Sequence, residues 1–78
     1  MYTVREEALV QIITSKLNDN RTTCGQTIDV IVTGNEITLV GWCDSEEQRK
    51  TAEMIVLGTY SVREVIDNIR VRRLAQSI

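Results

Sequence analysis

The sequence contains no histidine, no proline and no phenylalanine among its 78 residues. Without histidine there is no Ser-His or Cys-His pair to activate a nucleophile. The two cysteines, Cys24 and Cys43, are too few for a zinc site, which usually takes four Cys or His ligands. No catalytic, cofactor-binding or metal-ligating set is therefore expected. Glycine is sparse and scattered, at positions 25, 34, 41 and 58, so no glycine-rich loop is available to cradle a phosphate. Aromatic residues stop at Tyr2, Trp42 and Tyr60, too few to stack bases on an RNA-reading sheet. Basic charge is not in excess either: the net charge is −2, so no global field favours nucleic acid, which is disfavoured as a partner. The longest apolar run covers residues 54–57, far short of the about 20 residues that cross a bilayer. The first residues, "MYTVREEALVQIITSKL", lack a basic n-region and a small-residue cleavage site. As written, the chain is expected to be cytoplasmic, and to belong to the envelope if it is a fragment of a longer exported protein. The cysteines lie 19 positions apart and pair only if the fold brings them together; two free thiols are the simpler expectation.

What is present is an ordinary globular balance, 42% apolar and 26% charged, at a length suited to a single domain over residues 1–78. Leu9, Ile12, Ile13, Lys16 and Leu17, joined by Val4 and Ala8, follow the spacing of a helical stripe and predict a helix over residues 4–18. Thr3 with Glu6 three positions on is a capping-box pattern at its start. A polar loop over residues 18–26 follows. The stretch "IDVIVTGNEITLVGWC", residues 28–43, predicts a hairpin around Thr33-Gly34-Asn35-Glu36. Alternation puts Ile28, Val30, Val32, Ile37, Leu39 and Gly41 on the core side, and Asp29, Ile31, Thr33, Thr38, Val40 and Trp42 on the other. Ser45 with Gln48 is a second capping box, and Glu46 and Glu47 suit the positive end of the helix dipole. Ala52, Ile55 and Val56 form the inward stripe of that helix, and Gly58 stops it. A last strand over residues 64–72 turns Val65, Ile69 and Val71 inward and Ile66, Asn68, Arg70 and Arg72 outward. Asp67 falls on the inward parity and is expected at the end of the sheet, within reach of water.

The order is thus α-β-β-α-β. Each helix has one apolar face, which predicts an α+β fold with two helices packed on one face of a three-stranded mixed sheet. The second helix is the crossover between strands two and three, which allows them to run parallel. Strand order stays open, and so does the far face of the sheet.

Several of these residues also recur as an ordered pattern: Ile28, Val30 and Val32, then Gly34-Asn35, then Ile37-Thr38-Leu39 and Gly41. Ala52 follows in the second helix, and "SVREVIDNIRV" over residues 61–71 supplies Val62, Val65, Asn68, Ile69 and Val71. In this pattern the chain resembles a BON domain, the module named for bacterial osmotic-shock and nodulation proteins, over about residues 4–71. Ser61 stands where that family usually has glycine, and Val56 where a small residue is common. The resemblance implies a non-catalytic binding module, with phospholipid surfaces or partner proteins as ligands and a bacterial envelope setting.

The open sheet face is the sharpest candidate for a contact surface. Ile31, Val40, Trp42 and Ile66 should lie on it, with Arg70 and Arg72 beside them. An apolar patch rimmed by arginine suits a protein interface or an anionic surface. The plainer alternative is that β-branched residues favour strands and scattered exposed apolar residues are ordinary. A second candidate is Met54 with Leu57 on helix two, which would meet lipid or a partner helix, or else widen the core stripe. Arg63, Arg70, Arg72 and Arg73 form the one basic cluster; a solvated strand end explains it as well as phosphate does. The leading expectation is association with itself or another protein through the open face. A C2 dimer would bury Trp42 twice. The alternative is peripheral binding to anionic phospholipid, favoured by the family resemblance and disfavoured by the net charge. The loop over residues 18–26 could also cover the face, leaving no partner to seek.

Overall fold

The protein's structure, a computed structural model, describes residues 2–59 and 62–72. Tyr60, Ser61 and Arg73, each given a place in the sequence pattern, lie outside the described residues. The elements are α1 (Val4–Asp19), β1 (Thr27–Thr33), β2 (Glu36–Cys43), α2 (Glu46–Leu57) and β3 (Glu64–Val71). This is the expected α+β order. No described helix is long and apolar enough to cross a membrane.

Both helices begin as their sequences dictate. The Thr3 hydroxyl accepts from the Glu6 amide while the Glu6 carboxylate accepts from the Thr3 amide, so two otherwise orphaned donors are satisfied. Ser45 and Gln48 repeat the arrangement at α2, which ends at Gly58. The other Glu6 oxygen reaches beyond its helix and accepts from the Gly34 amide at 2.7 Å, tying the start of α1 to the hairpin turn. Gly34 takes φ +63°, which a two-residue turn needs and a side chain would resist.

The sheet order is β1-β2-β3, with β1 and β2 antiparallel and β2 and β3 parallel. β2 is therefore the central strand. Its inward residues Ile37, Leu39 and Cys43 are fully buried. They pack with Val32, Ile69, the α1 residues Leu9, Ile13 and Leu17, and the α2 residues Ala52 and Val56. Gly41 completes that inward row opposite Ile28. Its φ is +143°, and a Cβ there would stand 2.0 Å from the Thr27 carbonyl oxygen. Only glycine fits, because β1 crosses too close for any side chain.

Three sequence expectations are corrected. The α1 stripe is narrower than predicted: Val4, Ala8, Ile12 and Lys16 are exposed, and the buried line runs Leu9–Ile13–Leu17 with Val10 at its flank. One helix of a thin two-layer fold meets only the sheet and one neighbour, so about one residue per turn is covered. Met54 and Leu57 do not widen the core stripe of α2 either; they are 70% and 53% exposed. Asp67, finally, is not at the sheet's end. It sits mid-strand opposite Leu39, its side chain only 10% exposed, and Arg49 of α2 reaches its Oδ2 at 3.1 Å. Its Oδ1 accepts from the Ile69 amide at 3.0 Å. The inward carboxylate is stabilised by a cation and a backbone donor in place of water.

Candidate functional site

The strand register assembles the open face from four rows across the sheet. Thr33, Glu36 and Glu64 lie at the hairpin end, then Ile31, Thr38 and Ile66, then Asp29, Val40 and Asn68, and last Thr27, Trp42 and Arg70. Alternation along each strand is what gathers them, since their inward neighbours, Gly41 and Asp67 apart, belong to the core. Ile31, Val40 and Trp42 remain 43%, 36% and 46% exposed, and Ile66 is half-buried. Arg70 stands beside Trp42 in register and places its guanidinium carbon 5.9 Å from the ring centroid, within cation–π range. Arg72 continues past β3, is exposed, and pairs with Asp44 at 3.6 Å. All six residues expected on this face are thus brought to one side or its end.

The loop before β1 does not cover them. The Thr23 hydroxyl donates to the Leu17 carbonyl at 2.6 Å and the Cys24 amide to the Asn20 carbonyl at 2.8 Å, so the loop folds back on the end of α1. Asp29 was placed on this face from the sequence, but two further acids that share it, Glu36 and Glu64, were passed over. The signal was available, because the parity that turns Val40 and Ile66 outward turns Glu36 and Glu64 outward too.

Met54 and Leu57 lie on the opposite, helical side of the molecule. Met54 borders a shallow groove with Lys16, Asp19, Asn20, Ile55 and Gly58. The groove mixes a lysine with an aspartate, and nothing joins it to the open sheet face. Arg49 lies between Glu46 and Asp67, and its bond to Glu46 holds the Glu46 carboxyl below its ordinary value and raises the guanidinium. These charges tie α2 to β3 within the fold. Cys24 is exposed and Cys43 buried, and both are free thiols. Burial pushes the Cys43 thiol up, which keeps it protonated and unreactive. Among the described residues no cluster of three or more His, Cys, Asp or Glu could hold a metal ion.

The fold and face define a two-layer α+β domain with both helices on one side of a mixed sheet. The chain belongs to the BON domain family, whose model matches residues 5–73. No curated protein matches it. Among solved structures it is similar to the C-terminal domain of CdsD, the structural protein of the type III secretion system of Chlamydia trachomatis. The TM-score is 0.70 at 14% identity, over 86% of this chain and 33% of that one, so the likeness is one of fold. The chain spans about a third of that relative's length.

Proposed function

We propose that the chain is a non-catalytic interaction module that binds protein, its own copy included, through the open sheet face. One observation carries this: Ile31, Val40 and Trp42 are exposed together on one side of the sheet, with Arg70 over the indole. Tryptophan and arginine are the residues that most often anchor protein contacts. The similar domain belongs to a structural protein of a secretion system, which agrees with an associating role. Family membership agrees with a binding module rather than an enzyme.

An anionic phospholipid surface is the other ligand class that the family suggests. Asp29, Glu36 and Glu64 share the open face with Arg70, so the face would be repelled where it lay flat on such a membrane. The test uses the emission of Trp42, the single tryptophan of the chain. Dilute protein should emit like an exposed indole and stay unchanged with anionic phosphatidylserine vesicles. A blue shift that saturates with vesicles and reverses with salt overturns the proposal in favour of lipid. A spectrum already blue at high dilution overturns it as well, because the face would then be closed without a partner.

A further inference from the structure

The open face is polarised along its strands. At the hairpin end Glu36 and Glu64 stand side by side, in register on adjacent strands. At the other end Trp42 and Arg70 stand in register, with Arg72 just beyond. Between them lie Ile31, Thr38 and Ile66, then Asp29, Val40 and Asn68, with Asp29 on the edge strand β1. Among the described residues neither glutamate has an ion-pair partner, nor has Arg70, whose guanidinium stands over the indole. Two carboxylates facing each other across a strand pair repel. A cation set against them would remove that cost, and among the described residues none lies within ion-pair distance of either.

A second copy supplies one. We infer that the open face is self-complementary, and that two copies pack sheet to sheet about a two-fold axis perpendicular to the strands, each copy's Glu36 and Glu64 meeting the partner copy's Arg70. This rests on the reading of the open face as a protein-binding surface. A two-fold running along the strands would instead lay the glutamate pair on its own image, so charge alone selects the antiparallel arrangement. Glu64 and Arg70 are both on β3, six residues apart or roughly 20 Å at about 3.3 Å per residue. The axis then passes midway between them, at the level of Ile66 and Asn68. That centres Ile31, Val40 and Ile66 on the interface, leaves Asp29 at the β1 edge, and puts an opposite-charge contact at each end. Face-to-face sheets keep their strands within about 30° of each other, which the arrangement permits.

Size sets the strength. Three strands about 4.8 Å apart and about 26 Å long offer a footprint of roughly 400 Å² per copy. A standard stable interface takes about 800 Å² a side. The dimer is therefore weak and reversible, and its register depends on the charges because the apolar area is small.

Sedimentation equilibrium of the full chain, carried to high micromolar concentration, tests this with paired charge reversals. Wild type should dimerise. Arg70→Glu and Glu64→Arg should each weaken the dimer by about tenfold or more. The double variant, and an equimolar mixture of the two single variants, should regain it, because opposite charges meet again in both. Single variants that dimerise like wild type overturn the inference, and so do a mixture and a double variant that stay monomeric. A wild type that remains monomeric overturns the second copy as partner while leaving the face to a different protein. The vesicle titration above reads failure of that broader proposal separately. Both positions are exposed, so each variant should keep the wild-type circular dichroism spectrum and urea midpoint.

Discussion

The two faces of the sheet are made from the same three strands, residue by alternate residue, and they differ in what covers them. Val32, Ile37 and Leu39 are sealed by α1 and α2, while their neighbours Ile31, Thr38 and Val40 look out from the other side. Strand propensity accounts for Ile, Val and Thr on both faces equally. Burial does not: the inner residues are removed from water in the isolated chain, and the outer apolar ones can be removed only by something else. The inner face also tolerates one charged side chain, Asp67, by giving it Arg49 and a backbone amide. Among the described residues the outer glutamates have no ion-pair partner. One face is closed within the chain and the other is open to water.

The contrast can be broken most completely at Gly41. Gly41→Val puts a branched side chain into the Thr27 carbonyl and should cost more than about 4 kcal/mol, enough to unfold a domain of this size. The expected result is loss of the cooperative urea transition. Adjacent residues on opposite faces sharpen the comparison next. Leu39→Ala should cost about 3 kcal/mol, because it leaves a cavity at the centre of the core. Val40→Ala should cost about 1 kcal/mol or less in the monomer, as expected for a side chain still 36% exposed on the open face. Chemical denaturation at low protein concentration reads both. Asp67→Asn comes third, at about 1–2 kcal/mol, since it leaves Arg49 without its inner partner; the urea midpoint should fall while the slope holds.

The smallest effect depends on pH. The Gly34 amide, and after it the Thr3 amide, hold the Glu6 carboxyl below its ordinary value. The unfolded chain then binds the proton more readily than the folded one, so stability rises with pH across this range. The contribution is complete above the ordinary carboxylate value of about 4.3 and is lost as pH falls through the lowered folded value. Glu6→Gln should flatten the acid limb of the urea midpoint against pH, lowering the neutral plateau while matching wild type at the most acid pH. A variant with the wild-type acid slope would show that the tether between α1 and the turn carries no stability.

Much of this was legible in the chain itself. Capping boxes announce both helix starts, period-two alternation gives both sheet faces, and Gly34 marks the turn. These are local signals, decided within a few residues. What escaped is tertiary. The width of the α1 stripe depends on how much of that helix α2 and the sheet cover, so Val4 and Ile12 read as core although they are exposed. Asp67 looked out of place because its partner lies 18 positions away, on the helix before it. The open face was found by parity, but only its apolar and basic members were weighed. Its acidic end emerges once parallel pairing sets Glu36 beside Glu64, and strand order, which establishes that pairing, is not written in any single segment.

The parallel pairing of β2 with β3 also sets a sequence of events in time. β1 and β2 close across a two-residue turn, whereas Glu36 and Glu64 lie 28 positions apart with α2 between them. Closing the longer loop costs more entropy and has to wait for α2 to form. β3 therefore joins last, and pulsed hydrogen exchange during refolding should protect the hairpin amides before those of β3. Until it docks, β2 carries a bare edge flanked by Ile37 and Leu39, the kind of template on which other chains add strands. The late step is thus the chain's most exposed moment for aggregation.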